Sequence, residues 1–204
     1  MYSFAGGYAM IRVYLILVDI VPAAVVLVPL FLVLYRTAYH RDLRKSLLYC
    51  LFSLYLAAVF SLVGIPNVTY FRPEVNWNLI PFLGIVEDLK NSILNIALFV
   101  PLGCLLPVLW ERFRKRSFTV MFGFCLSLVI ELLQMLTFRA TDVNDLITNT
   151  LGALVGFLVV RSFSVRHEPV GKGKWDVYGL CGISFGVMFF VHPFLSPLIW
   201  DSIL

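Results

Sequence analysis

Six stretches of roughly twenty mainly apolar residues each, joined by short polar connectors, restrict this chain to one kind of solvent. They run near Tyr14 to Tyr35, Ser46 to Gly64, Asn91 to Trp110, Ser117 to Thr137, Val143 to Val160 and Val177 to Leu195. A helix of roughly 20 residues crosses a hydrocarbon core about 30 Å thick, and no water is available there for backbone N–H and C=O groups. The stretches are therefore expected to be helices. The composition agrees: 60% of the 204 residues are hydrophobic and 14% charged, and mean hydropathy is +0.91, outside the balance of a soluble domain. The expected fold is all-α, a polytopic membrane protein with six transmembrane helices in one bundle. The longest connector, from Ile65 to Lys90, is too short for a soluble domain, so residues 1–204 read as a single transmembrane domain.

Charge sets the expected orientation. The sequence holds sixteen Lys and Arg, and three connectors carry most of them: Arg36, Arg41, Arg44 and Lys45; Arg112, Arg114, Lys115 and Arg116; Arg161, Arg166, Lys172 and Lys174. With six spans these connectors share one side, which the positive-inside rule makes cytoplasmic, leaving both termini outside. The net charge of +4 is thus topogenic, and a nucleic-acid partner is not expected. A cysteine placed at Glu74 should react with an impermeant thiol reagent added outside, and one at Lys115 should not. The opposite labelling pattern would invert the topology.

Cys50, Cys104, Cys125 and Cys181 all fall within spans, without CxxC spacing or a paired His. They read as small buried hydrophobes, not as a disulfide framework or metal site. The first thirteen residues lack a signal-peptide pattern, so the first span reads as retained. Pro22 and Pro29 are expected to kink the first span, and Pro101 and Pro107 to distort the third. Gly152 with Gly156, and Gly182 with Gly186, are GxxxG pairs expected to let helices approach closely within the bundle. The connector segment Trp77 to Phe82 is aromatic and apolar, suited either to the membrane interface or to re-entry.

Against this apolar background, eight polar side chains recur at helical spacing: Asn91, Asn95, Glu131, Gln134, Arg139, Asp142, Asp145 and Asn149. The expected topology puts all of them in the outer half of the membrane. Asn91 and Asn95 are one turn apart, and Asp142, Asp145, Asn149, Gly152 and Gly156 follow one helical stripe. Ionisable groups at membrane depth cost roughly 2.5–3.5 kcal/mol on insertion scales, so such a cluster reads as a functional site. Asp19 near the outer end of the first span is a candidate fourth contributor. Crowded, desolvated carboxylates titrate apart, so one of Glu131, Asp142 and Asp145 can donate a proton while another acts as a base. They are the candidate catalytic residues. Arg139 suits a phosphate oxygen or an acid, and Asn91, Asn95, Gln134 and Asn149 suit sugar hydroxyls or positioning. No cofactor is called for; a hard cation held by carboxylate and amide oxygens is an option that the spacing does not demand. The structural alternative is that these residues act as interhelical packing glue, with Arg139 paired to Asp142 or Asp145.

The ordered set Asn78-Leu79-Ile80-Pro81-Phe82, Asn91-x-x-x-Asn95-x-x-x-Phe99-x-Pro101-Leu102-Gly103, Glu131-x-x-Gln134 and Arg139-x-x-Asp142-x-x-Asp145-x-x-x-Asn149-x-x-Gly152 resembles the VanZ-like family of bacterial membrane proteins. The resemblance covers about residues 78–156. It implies a multi-pass protein of the bacterial cytoplasmic membrane that lowers susceptibility to the glycopeptide teicoplanin and works at the cell envelope. The expected partner is a membrane lipid or lipid-linked envelope precursor, with the glycopeptide antibiotic as another. Binding or modification of that headgroup in an outward-facing polar pocket is the leading reading. A non-catalytic lipid- or antibiotic-binding or scaffolding protein is the alternative, with lipid transport behind it. Whether the protein is an enzyme, and its oligomeric state, stay open at this point.

Overall fold

The computed structural model describes the backbone of residues 3–70, 77–78, 89–137, 141–164, 168–171, 173 and 175–203. Side chains are described over 18–70, 89–137, 142–161, 168–171, 173 and 175–202. The fold is all-α: α1 (Ser3–Thr37), α2 (Leu43–Val63), α3 (Leu89–Leu109), α4 (Arg116–Gln134), α5 (Val143–Ser164), α6 (Asp176–Gly186) and α7 (His192–Ile203), the last two joined by a π-helical turn, Val187–Val191. Two-residue strands, β1 (Trp77–Asn78) and β2 (Thr141–Asp142), pair in parallel. Among the described residues six helices are long and apolar enough to cross a membrane, the sixth running continuously from Asp176 to Ser202. Span positions agree with those expected from hydropathy except at the last, expected to end near Leu195. Its helix continues past Pro193 and Pro197.

Two compact units emerge, residues 1–70 with 177–204, and residues 71–176. In the first, Leu27 and Phe31 of α1 and Tyr49, Phe52 and Leu56 of α2 are fully buried. Prolines shape this unit through the carbonyls they leave without an intrahelical donor, four residues back. Pro22 frees the carbonyl of Val18, which accepts the Trp200 indole N–H of α7 at 3.3 Å. Pro193 frees the carbonyl of Phe189 inside the π-turn, which accepts the Val68 N–H at 3.1 Å. Such outside donors satisfy groups that would be costly to leave bare in hydrocarbon, which lets α1 continue through Pro22 and the last span through Pro193. Asp42 caps α2 by accepting the Lys45 N–H at 2.9 Å, and Gly64 closes that helix in the left-handed conformation, φ 65°. Asn67 Oδ1 accepts from Thr69 and Tyr70, so the Asn67-Val68-Thr69 triplet builds a local turn.

In the second unit the buried stripe Phe99, Leu102, Leu106 and Leu109 follows one face of α3. The α3–α5 contact is closer than side chains allow. A Cβ added at Gly156 would strike the carbonyl oxygen of Val100, at Gly152 that of Ile96, and at Gly103 that of Ala153. These three glycines bring two helical backbones together, as small residues do between membrane helices. The second GxxxG pair differs. A Cβ at Gly182 or Gly186 would meet nothing within 4 Å among the described residues, so the close approach expected there is absent. Identical spacing yields opposite environments because, among the described residues, only the α5 pair faces another helix. The cysteines also depart from the expectation of burial: Cys125 is exposed, and Cys50, Cys104 and Cys181 are half-buried.

Candidate functional site: a carboxylate and amide cluster

Within the second unit, the basic residues Arg112, Arg114, Lys115 and Arg116 occupy one end, at the turn from α3 to α4. The backbone N–H of Gly171 donates to Leu109 O at 2.7 Å at that same end. The candidate polar residues occupy the other. Asn91 and Asn95 lie in the first two turns of α3, Glu131 and Gln134 in the last turn of α4, and Asp142 and Asp145 at the start of α5. Chain direction alone explains this, since α3 and α5 begin where α4 ends.

Glu131 is 3% exposed and its Oε2 accepts the backbone N–H of Asp142 at 3.1 Å. That N–H stands at the N-terminus of α5, where uncapped donors and the helix dipole favour an anion. Asp142 in turn caps α5, its Oδ1 accepting the Asn144 N–H at 2.8 Å. One of the three carboxylates therefore has a structural role in starting the helix that aims a donor at another. Asp142 is also paired with Asn78 across the short strands, so the parallel pairing ties the long connector to the cluster. Asp145 Oδ1 accepts the Asn95 side-chain amide of α3 at 2.7 Å. Three helices are thus joined at one level, α4 to α5 through Glu131 and α3 to α5 through Asp145.

Asn149, 3% exposed, lies one turn below Asp145 and donates its amide to Ser127 Oγ of α4 at 2.9 Å. Its Oδ1 is buried without a hydrogen-bond partner among the described residues. Native interiors seldom leave such an atom unpaired. Gln134 is buried, 5% exposed, at the end of α4, while Asn91 is exposed on the first turn of α3. Arg139 and the segment 79–88, including Phe82, lie outside the described residues. The structure adds Ser127, Asn144 and Thr148, all buried and hydrogen-bonded around the same end. Ser127 was legible in principle: it stands one turn before Glu131 on the same face. A serine between membrane helices is common enough that its spacing alone carried little weight.

The arrangement gathers Asn95, Glu131, Asp142, Asp145 and Asn149 and leaves Asn91 at its rim. It supplies oxygen acceptors in a low-dielectric setting where they interact strongly with a bound donor or cation. No group of three or more His, Cys, Asp or Glu able to hold a metal ion occurs among the described residues, although three acids share this end. They are spread over α4 and α5 and engaged by separate donors.

A family model described as VanZ/LLP1 matches residues 46–164. Among curated proteins, Protein VanZ of Enterococcus faecium is 34% identical over 119 residues, covering 56% of this chain and 70% of that protein. No solved structure matches the chain. The matched region spans α2 to α5 and contains every candidate residue of the cluster.

Proposed function

The chain belongs to the VanZ/LLP1 family, and from that premise we propose that it binds or modifies the headgroup of an envelope lipid or lipid-linked glycan and so lowers susceptibility to glycopeptides such as teicoplanin. The observation that carries this reading is Glu131. A carboxylate 3% exposed, met by the N-terminus of another helix, is an expensive group to keep in a membrane protein unless it acts. In this reading Glu131 and Asp145 perform acid/base or headgroup-binding work, and Asp142 shares it while capping α5. Asn95 and Asn149 position these groups, Gln134 and Asn91 line the approach, and Arg139 grips an anionic oxygen. The charge pattern supports a site opening to the outer face of the bacterial cytoplasmic membrane.

Conservative substitutions test it, because Gln and Asn keep shape and most hydrogen bonds. Asn is also as good a helix cap as Asp. Glu131→Gln and Asp142→Asn are each expected to lower the protection against teicoplanin at least tenfold while membrane abundance stays at the wild-type level. Full protection from both variants at normal abundance would remove the acid/base reading. The non-catalytic, shielding alternative would then stand.

A further inference from the structure

A second polar group lies in the other unit, contributed by α1, α2 and α7. Ser61 Oγ donates to Asp19 Oδ2 at 2.5 Å, and His192 Nε2 stands 3.5 Å from Asp19 Oδ1. The Asp19 side chain is 33% exposed and that of His192 13%. Nε2 is buried without a hydrogen-bond partner among the described residues, so the two contacts differ: serine is bonded, histidine is only near. Counting residues from the helix ends that carry Arg36, Leu43 and Asp176, all three lie about 24–27 Å along their helices. They share one level, at the end of this unit away from the α1–α2 turn that carries Arg36, Arg41, Arg44 and Lys45.

A carboxylate only 33% exposed at the outer end of a span, beside a buried imidazole, is favoured by a cationic partner. Neutral histidine offers at most one hydrogen bond, whereas imidazolium offers a charge as well, and imidazole changes charge between about pH 5 and 8. His192 also stands at an irregular point of its helix. It follows the π-turn Val187–Val191 and precedes Pro193, so the helix there departs from α hydrogen bonding, and π-turns commonly mark functional positions. The other described acidic and basic side chains on these helices stand far from the pair: Arg36 on α1, Arg44 and Lys45 on α2, Asp176 on α6, and Asp201 nine residues beyond His192 on α7. The side chain of Arg12, two turns before Asp19, lies outside the described ones.

We propose that Asp19, Ser61 and His192 form a proton-binding site, in which protonated His192 closes onto the Asp19 carboxylate and locks α7 against α1 and α2. The ligand is the proton itself, drawn from the outer face in the topology expected from charge. Asp19 and His192 both fall outside residues 46–164, whereas Ser61 lies within them.

Thermal unfolding of the full chain in lipid nanodiscs at about pH 8 and pH 5.5 tests this. Each profile is compared with that of His40→Gln, a control in the exposed α1–α2 turn. Wild type and control should gain about 3 °C in Tm on acidification relative to His192→Gln. Asp19→Asn should respond with the opposite sign, because protonation then leaves an uncompensated charge among apolar helices. The double variant should show neither response. Should His192→Gln fail to fold, the inverted response of Asp19→Asn decides alone. Equal pH responses in wild type, Asp19→Asn and the double variant would overturn the proposal.

Discussion

Replacing Gly156 with valine is expected to abolish most of the folded protein, whereas the same replacement at Gly182 leaves yield and Tm near wild type. Each glycine belongs to a GxxxG pair within a membrane-spanning helix, so helix propensity and hydropathy change alike. What differs is the neighbour. At Gly156 a Cβ meets Val100 O, Cys104 N and Gly103 Cα of α3, all backbone atoms; at Gly182 it meets nothing within 4 Å. Overpacking typically costs about 1–3 kcal/mol when side chains can shift. Backbone atoms of a packed helix cannot shift alone, so α3 and α5 must separate along their length, and the cost should exceed that range. Separation also pulls Asn95 from Asp145, one of the cluster's ties between helices. Detergent-resistant folded yield, read by fluorescence-detected size exclusion, measures the contrast. An equal loss in Gly182→Val would mean that the α6 face is packed after all.

This contrast shows where sequence reasoning reached its limit. Periodicity could place Gly152 and Gly156 on a stripe with Asp145 and Asn149, because i, i+3, i+7 geometry is intrinsic to one helix. It could not say which stripe meets a neighbour, which depends on packing between helices, and so Gly182 and Gly186 received the same expectation. The spans were legible because bilayer thickness fixes length and apolarity independently of partners. The end of α7 was not, because its continuation past Pro193 depends on a donor, Val68 N–H, from a distant loop. In the candidate site, residue identity and level were legible, while the division of labour was not. The capping by Asp142 and its N–H bond to Glu131 depend on how α4 and α5 meet. Asp19 was read as a candidate addition to the main cluster; its described partners are Ser61 and His192, on α2 and α7.

The Asn95–Asp145 hydrogen bond offers the sharpest measure of how much the polar cluster holds together the helices it spans. Asn95→Ala, Asp145→Ala and the double variant form a cycle whose coupling energy isolates the pair. Interhelical hydrogen bonds in membranes average about 0.6 kcal/mol, because the separated helices find other partners. A bond to a charged group is worth more, about 1.5–3 kcal/mol in water-soluble proteins. The 2.7 Å separation and partial burial favour a coupling between these figures, about 1–1.5 kcal/mol by equilibrium unfolding in mixed micelles. Asp145→Ala alone should cost more than Asn95→Ala, since Asp145 has interactions beyond this one. Asn95→Ala should then weaken teicoplanin protection more than its stability loss explains, because Asp145 loses the group that orients it while keeping its charge. A coupling near zero would assign the orientation of Asp145 to its other partners, and protection in Asn95→Ala should then track stability alone.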